Sequence, residues 1–274
     1  MSTLTFTIIQ TSLYWEDKQA NLQMLEEKIN GIKEKTEVII LPEMFSTGFS
    51  MNAASLAEDK EGETVLWMKR LSAEKKVIIC GSLIIKENEK FYNRLVWMLP
   101  NGQMGLYDKR HLFAYANEDQ HYTPGKKRLI ASVKGWKINL QICYDLRFPV
   151  WARQAVAKTE VNGSATSPEY DVLVYVANWP ERRSHVWRTL LQARAIENQC
   201  FCIGVNRVGN DGNNIYYCGD SMAINPLGEV FYNKQHDEDV HTFTLLKKEL
   251  QDVRQKMPFW KDADCFVVFE ELKK

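Results

Sequence analysis

The sequence predicts an α/β protein, because short apolar strands alternate with amphipathic helices along most of its length. Residues 38–41 form a wholly apolar run that ends at Pro42, which is typical of a strand buried on both faces. About ten strands are predicted, and a sheet of that size tends to split into two packed sheets. With 274 residues, 45% of them hydrophobic, the chain is long enough for one large domain with a substantial core.

The predicted elements follow one another without a linker or an internal repeat. Residues 6–10 form the first strand, and Leu22, Leu25, Ile29 and Ile32 are spaced as on one face of a helix over 21–32. The further predicted strands are residues 38–41, 77–82, 91–99, 104–107, 136–143, 172–177, 201–205, 221–225 and 240–245, and the further helices are 64–73, 149–157 and 184–198. Turns at 100–102 and 225–228 separate neighbouring strands, and the polar stretch 159–169 is predicted as a surface loop.

Composition excludes several classes of function. The chain has 35 basic and 35 acidic residues, so its formal net charge of zero argues against a nucleic-acid-binding surface. No apolar run approaches the ~18 residues that a membrane span needs, and the alternating N-terminus predicts a strand rather than a signal peptide. Six cysteines are too few for a disulfide scaffold, which favours reduced thiols and a cytoplasmic location. The five histidines form no metal-binding pattern, so we expect neither a metal nor an organic cofactor.

Three chemically reactive side chains follow predicted strands, where ligand sites of α/β sheets collect. Glu43 follows the strand that ends at Pro42, Lys109 follows the strand over 104–107, and Cys143 ends the strand over 136–143. A thiol becomes a good nucleophile when a base takes its proton or when the start of a helix favours the thiolate. Glu43 is the candidate base, and Lys109 with the backbone N–H of Tyr144 is suited to stabilise an oxyanion. The set predicts attack on a carbonyl and release of an amine or ammonia through a thioester.

Each of these residues also has a structural interpretation. A cysteine at a strand end is commonly a small core residue, a glutamate after a strand is commonly a solvated cap, and a lysine in a charged cluster is commonly on the surface. The three lie far apart in the sequence, so their spacing does not establish that they converge.

The chain resembles the nitrilase superfamily of carbon–nitrogen hydrolases in three motifs that occur in the family's order: Leu41-Pro42-Glu43-Met44-Phe45, Tyr107-Asp108-Lys109-Arg110-His111-Leu112-Phe113 and Gln141-Ile142-Cys143-Tyr144-Asp145-Leu146-Arg147-Phe148-Pro149. The resemblance implies a four-layer α-β-β-α sandwich, with residues 1–274 as a single domain that pairs into a homodimer. It implies that Glu43 is the general base, Lys109 the oxyanion stabiliser and Cys143 the nucleophile. It also implies a second glutamate, Glu118, that orients Lys109 or the attacking water, although the adjacent Asp119 leaves this placement open.

Within the superfamily the chain looks most like the ω-amidase branch, through residues 45–51, 177–180 and 205–209. That branch hydrolyses the terminal amide of 2-oxoglutaramate and 2-oxosuccinamate to ammonia and the 2-oxo dicarboxylate, which implies a role in nitrogen recycling or methionine salvage. The candidate residues for binding such an anion are Arg147, Arg182 and Arg183, and those for walling the pocket are Trp179 and Phe45. Each of these residues also has a structural interpretation. Arg147 could form a buried salt bridge, and Arg182 and Arg183 could be solvated surface charges. The two aromatic residues could pack in the core or at an interface.

Other functions remain open on the sequence alone. The same catalytic set would serve another amidase of the superfamily, such as an N-carbamoyl amino-acid hydrolase or an aliphatic amidase. A protein of this fold that binds a partner without catalysis is a further alternative, which intact Glu43, Lys109 and Cys143 disfavour.

Overall fold

The computed structural model describes residues 2–154, 167–264, 266 and 268. Its strands are β1 (Thr3–Gln10), β2 (Val38–Ile40), β3 (Ile78–Glu87), β4 (Lys90–Met98), β5 (Met104–Asp108), β6 (Leu129–Val133), β7 (Trp136–Ile142), β8 (Val172–Val176), β9 (Phe201–Val205), β10 (Val208–Asn210), β11 (Tyr216–Ile224), β12 (Val230–Gln235) and β13 (Asp239–Leu246). Its α-helices are α1 (Lys18–Asn30), α2 (Ala53–Leu56), α3 (Glu63–Lys75), α4 (Glu118–His121), α5 (Pro149–Ala152), α6 (Ser184–Asn198) and α7 (Lys247–Lys256). Short 3-10 helices cover Ala114–Ala116, Cys143–Arg147, Glu181–Arg183 and Phe259–Asp262.

The strands form two mixed sheets. The first has six strands in the order β13-β1-β2-β3-β4-β5, and the second has seven, in the order β10-β11-β9-β8-β7-β6 with β12 paired to β11. The centre of each sheet is parallel: β1, β2 and β3 in the first, and β7, β8 and β9 in the second. The carboxyl ends of β2 and β7 can therefore present side chains to one site.

The alternation of side chains along β2 shows the layer order. Val38 and Ile40 point into a core shared by both sheets, whereas Ile39 points the other way, into a cluster with residues of α1 and α3. On the far side, Trp187 and Leu191 of α6 pack onto the second sheet. The layers are thus helices, sheet, sheet and helix, which confirms the α-β-β-α sandwich. No helix in the described ranges is long and apolar enough to cross a membrane.

The sequence-based assignment was wrong at several elements. It missed β6, β10, β12 and α7. β10 has only three residues, and β12 and α7 mix charged and apolar residues; in α7 only Leu250 and Val253 are buried. The helix predicted over 149–157 ends at Ala152, because Arg153 has extended backbone angles. Residues 155–166, which include most of the loop predicted over 159–169, lie outside the described part of the chain.

Candidate active site

Glu43, Lys109 and Glu118 form a buried cluster although they come from distant parts of the sequence. Glu43 follows β2, Lys109 follows β5, and Glu118 is the first residue of α4. Lys109 Nζ donates to Glu43 Oε1 at 2.8 Å and to Glu118 Oε2 at 2.9 Å, and all three side chains are at most 1% exposed. The exposed Asp119 next to Glu118 takes no part in the cluster, so the carboxylate against Lys109 is that of Glu118.

Cys143 faces this cluster from the second sheet. It follows β7, begins the 3-10 helix Cys143–Arg147 and has a positive φ of 44°, a conformation that turns the chain sharply after the strand. Its thiol lines the same cavity as Lys109 and lies 3.8 Å from the carbonyl oxygen of Asn178. Tyr144 lines the cavity as well, and its N–H belongs to the first turn of that short helix, where N–H groups have no partner within the helix.

Two asparagines that sequence reasoning missed hold Glu43 in place. The Asn178 N–H donates to Glu43 Oε2 at 2.8 Å, and Asn93 Nδ2 of β4 donates to Glu43 Oε1 at 2.8 Å and to Glu118 Oε1 at 3.3 Å. Asn178 had a usable signal, since it follows the apolar strand β8 much as Glu43 follows β2. Asn93 had no such signal, because it lies inside the largely buried strand β4 and not at its end.

The electrostatics of the site keep the thiol protonated at rest. Burial raises the pKa of Cys143 well above its ordinary value, and the negative charge of Glu43 raises it further. The suggestion that a helix start would favour the thiolate is therefore wrong here, because one 3-10 turn does not outweigh burial. A thiol in this state needs a base before it can act as a nucleophile, and Glu43 is the carboxylate beside Cys143.

Lys109 stays charged in this environment. Burial alone would lower its pKa, but the carboxylates of Glu118 and Glu43 outweigh burial and the net shift is upward. Burial raises the pKa of Glu118, an effect that Lys109 opposes. Its Nζ lies within hydrogen-bond distance of three carboxylate oxygens, Glu43 Oε1 and both oxygens of Glu118, so what it offers an oxyanion next to Cys143 is its positive charge.

A cavity of about 490 Å³ opens onto Cys143 and Lys109. Its wall includes aromatic residues and three arginines, namely Trp15, Phe49, Phe113, Tyr115, Tyr144, Trp179, Tyr217, Arg147, Arg182 and Arg183. The guanidinium of Arg183 is half-buried and stacks 5.1 Å from the ring centre of Phe113. That of Arg147 is exposed and lies 5.4 Å from the ring centre of Trp179, so the buried salt bridge considered for Arg147 is absent from the described structure.

Phe45 lies in the core and not on the cavity wall. Its ring packs 6.0 Å from that of Trp67, and a Cβ added to Gly81 would come within 2.7 Å of it. Phe45 follows Glu43 by two residues, but its side chain belongs to the cluster between the first sheet and its helices. The expectation that it walls the pocket is therefore corrected, because the chain after β2 turns with a positive φ of 45° at Met44.

The three cavity arginines differ from the other charged residues of the fold. Arg94, for example, pairs with Asp108 at 2.6 Å and with Glu87 at 2.9 Å. None of Arg147, Arg182 and Arg183 has an ion-pair partner among residues 2–154 and 167–264. Burial, and then the nearby charge of Arg182, lowers the pKa of Arg183. The wall also includes the carboxylates of Glu16 and Asp211, which accept from Ser50 and Tyr217 and form no ion pair with these arginines, so the three guanidinium groups remain available to an anionic ligand.

Comparison with known proteins agrees with the fold and identifies the family. The carbon–nitrogen hydrolase family model matches residues 5–255. An omega-amidase, YafV, from Escherichia coli strain K12 is 42% identical over 273 residues, covering 97% of this chain and 99% of that protein. A 2-oxoglutaramate amidase from Bacillus subtilis is 30% identical over 261 residues, covering 94% of this chain and 96% of that protein.

Solved structures give the same result. A CN-hydrolase superfamily protein from Xanthomonas campestris, solved with an arsenic adduct in its active site, superposes with a TM-score of 0.93 at 40% identity, covering 98% of this chain and 100% of that one. The chain belongs to the carbon–nitrogen hydrolase family, the nitrilase superfamily, and is an enzyme that acts on carbon–nitrogen bonds. Its sequence resemblance to the ω-amidase branch is confirmed by the relatives in Escherichia coli and Bacillus subtilis.

Proposed function

We propose that this protein is an ω-amidase that hydrolyses the terminal amide of 2-oxoglutaramate or 2-oxosuccinamate to ammonia and the 2-oxo dicarboxylate. The observation that carries the proposal is one cavity lined by Cys143, by Lys109 with Glu43 bonded to it, and by arginines that form no ion pair within the described ranges. The first set supplies the chemistry of amide hydrolysis, and the arginines supply a binding site for the carboxylate at the other end of the substrate.

The reaction follows from the order of these groups. Glu43 takes the proton of Cys143 as the thiolate attacks the amide carbon, and the oxyanion is stabilised by the positive charge of Lys109 and the N–H of Tyr144. The intermediate collapses when Glu43 returns the proton to the leaving nitrogen, so that ammonia departs and a thioester remains. Glu43 then takes a proton from water, which attacks the thioester. Collapse of this second intermediate releases the acid, and the proton returns to the sulfur.

Arg183 is the best-supported carboxylate ligand of the three arginines. It is half-buried, held by Phe113, and lines the same cavity as Cys143. Arg147, held over Trp179, is the second ligand, and this stacking also gives Trp179 a part in binding. Phe113 and Trp179 limit the freedom of the guanidinium groups before substrate arrives, which lowers the entropic cost of binding.

A second candidate function is that of another amidase of the superfamily. The cavity arginines discriminate between amidases with anionic substrates and amidases with neutral substrates. An N-carbamoyl amino-acid hydrolase would use them for its substrate's carboxylate as an ω-amidase does. A neutral aliphatic amide would leave them unsatisfied, so the wall charge disfavours an aliphatic amidase. The relative named as a 2-oxoglutaramate amidase favours the 2-oxo amides.

The test is ammonia release from 2-oxoglutaramate and 2-oxosuccinamate, with glutamine, asparagine and an N-carbamoyl amino acid as comparators. We expect release from the 2-oxo amides alone. Cys143→Ala, a folded control that lacks the nucleophile, should release none, and Glu43→Gln should fail to form the thioester. Release from the comparators instead would replace the substrate assignment, and turnover by a folded Cys143→Ala would remove the thioester mechanism.

Assembly and location are further parts of the proposal. Val150, Phe259 and Phe266 expose apolar side chains in a depression beside α5 that Arg153, Asp262 and Asp264 also line, and these apolar side chains support burial against a second copy in a homodimer. Light scattering should give twice the mass of 31.9 kDa, and a monomer at micromolar concentration would contradict the dimer. We also propose that residues 1–274 form a single domain and that this amidase of small metabolites is cytoplasmic. The location is supported by the free thiols of the described residues, which are Cys80, Cys143, Cys200, Cys202 and Cys218.

A further inference from the structure

Asp145 is a buried carboxylate with no lysine or arginine partner in the described structure. Each of its oxygens accepts two hydrogen bonds instead. Oδ1 accepts from the backbone N–H of His111 at 2.9 Å and contacts His111 Nδ1 at 2.8 Å. Oδ2 accepts from the hydroxyl of Tyr107 at 2.7 Å and from the backbone N–H of Ile142 at 3.1 Å. The buried carboxylate of Asp145 is therefore stabilised by hydrogen-bond donors, and the position of its side chain depends on the positions of those donors.

The four donors flank the two sides of the reaction centre. Ile142 directly precedes Cys143, whereas Tyr107 and His111 lie two residues before and two residues after Lys109. These segments belong to different sheets, since β5 leads to Lys109 and β7 leads to Cys143. One carboxylate therefore ties the turn that presents the nucleophile to the loop that presents the lysine.

The donors are themselves held rigidly. The Tyr107 hydroxyl accepts a hydrogen bond from Trp151 Nε1 at 2.9 Å, and burial keeps its pKa high so that it remains a donor. The imidazole of His111 stacks on Phe148, with ring centres 3.8 Å apart and an angle of 7° between the planes. Because these groups cannot follow a displaced carboxylate, Asp145 fixes the separation of the two segments rather than adapting to it.

We propose that Asp145 is a positioning residue that, together with the partly exposed His111, holds the turn at Cys143 at the reacting distance from Glu43 and Lys109. The inference rests on the proposed amide hydrolysis for its rate readout. Misplacement of reacting groups by about 1 Å costs roughly 100-fold in rate without removing any catalytic group. The assignment predicts a loss in kcat, with substrate binding through the arginines left intact.

The test uses Asp145→Asn and a matched pair at His111. In Asp145→Asn an NH2 group faces two donors, and we expect kcat to fall about 100-fold with KM within about threefold of wild type. His111→Ala removes one donor and should lower kcat about tenfold, whereas His111→Asn, whose amide can occupy the Nδ1 position, should restore most of it. The His111 pair decides the question if Asp145→Asn does not fold.

A second readout is independent of the substrate. The rate at which iodoacetamide alkylates Cys143 should fall in Asp145→Asn and His111→Ala and recover in His111→Asn, with Cys143→Ala as the blank. These alkylation rates decide the matter even if wild type hydrolyses none of the 2-oxo amides. Equal kcat and alkylation rates in His111→Ala and wild type, with only the melting temperature lowered, would show a purely structural role and overturn the inference.

Discussion

Two groups of charged residues face the same cavity, and they are built in opposite ways. Lys109 and the carboxylates of Glu43 and Glu118 are buried and bonded to one another, so their charges are compensated in part inside the protein, with Asn93 and Asn178 as further donors to Glu43. Arg147, Arg182 and Arg183 lie on the wall, and none of them forms an ion pair with a carboxylate of the described ranges. Removing a charge from water is costly unless a partner is present, so the inner group must be complete before substrate binds. The three arginines of the outer group are partly solvated, so they can remain without a carboxylate partner until an anionic substrate binds.

The largest effect should come from breaking the inner group with Lys109→Met. The substitution leaves two buried carboxylates without their cation and removes the charge proposed to stabilise the oxyanion. We expect amide hydrolysis to fall at least about 1,000-fold and the free energy of unfolding to fall by about 3–5 kcal/mol. Urea unfolding measures the second change, with the exposed Lys33→Met as the matched control. An unchanged urea midpoint for Lys109→Met would show that the cluster is not the compensated unit described above.

A pH profile tests the state of the nucleophile beside the inner group. Because the pKa of Cys143 is raised by burial and by Glu43, the thiolate fraction is small below that pKa and grows with pH. The alkylation rate of Cys143 should therefore rise about tenfold per pH unit between roughly pH 7 and 9, beyond the ordinary thiol pKa of about 8.5. Glu43→Gln removes the neighbouring negative charge and should move the profile to lower pH. A wild-type plateau below about pH 8 would contradict a raised pKa.

Arg183→Gln should leave the chemistry intact and weaken binding. A charged hydrogen bond to carboxylate contributes about 1.5–3 kcal/mol, so KM for 2-oxoglutaramate should rise about tenfold or more with kcat nearly unchanged. Arg182→Gln removes the same charge from the preceding, exposed position and should raise KM about threefold or less. Steady-state kinetics of the two variants compare them directly. Equal effects would show that only the overall positive charge of the wall matters.

The position of each site residue relative to its strand explains which parts of the site could be predicted from the sequence. Glu43, Lys109 and Cys143 were candidates because each follows a predicted strand, and the fold brings those strand ends together. Asn93 could not be found in this way, because a polar residue inside a buried strand gives no sign of what it contacts. Phe45 was assigned to the wrong side, since a turn of one residue decides whether a side chain faces the cavity or the core.

The fold shows a similar limit. The buried central strands, such as β2 and β8, were predicted because a short, uninterrupted apolar run is typical of a strand that is covered on both faces. The partly exposed β12 was missed, because a strand that faces water on one side mixes polar and apolar residues as a loop does. The edge strand β6 was missed although its sequence is mainly apolar. The four-layer arrangement came from family resemblance, since the packing of one sheet on another depends on contacts between residues distant in sequence.

The most direct test of the division between the two groups is to compare an anionic with a neutral amide in wild type and Arg183→Gln. The value of kcat/KM would be measured for 2-oxoglutaramate and for pentanamide, which has the same chain length but no carboxylate. Wild type should strongly prefer the anion, and Arg183→Gln should lose about tenfold or more on 2-oxoglutaramate while its kcat/KM for pentanamide stays unchanged. An equal loss on both substrates would contradict the account, because it would place Arg183 in the chemistry of the amide rather than in recognition of the carboxylate.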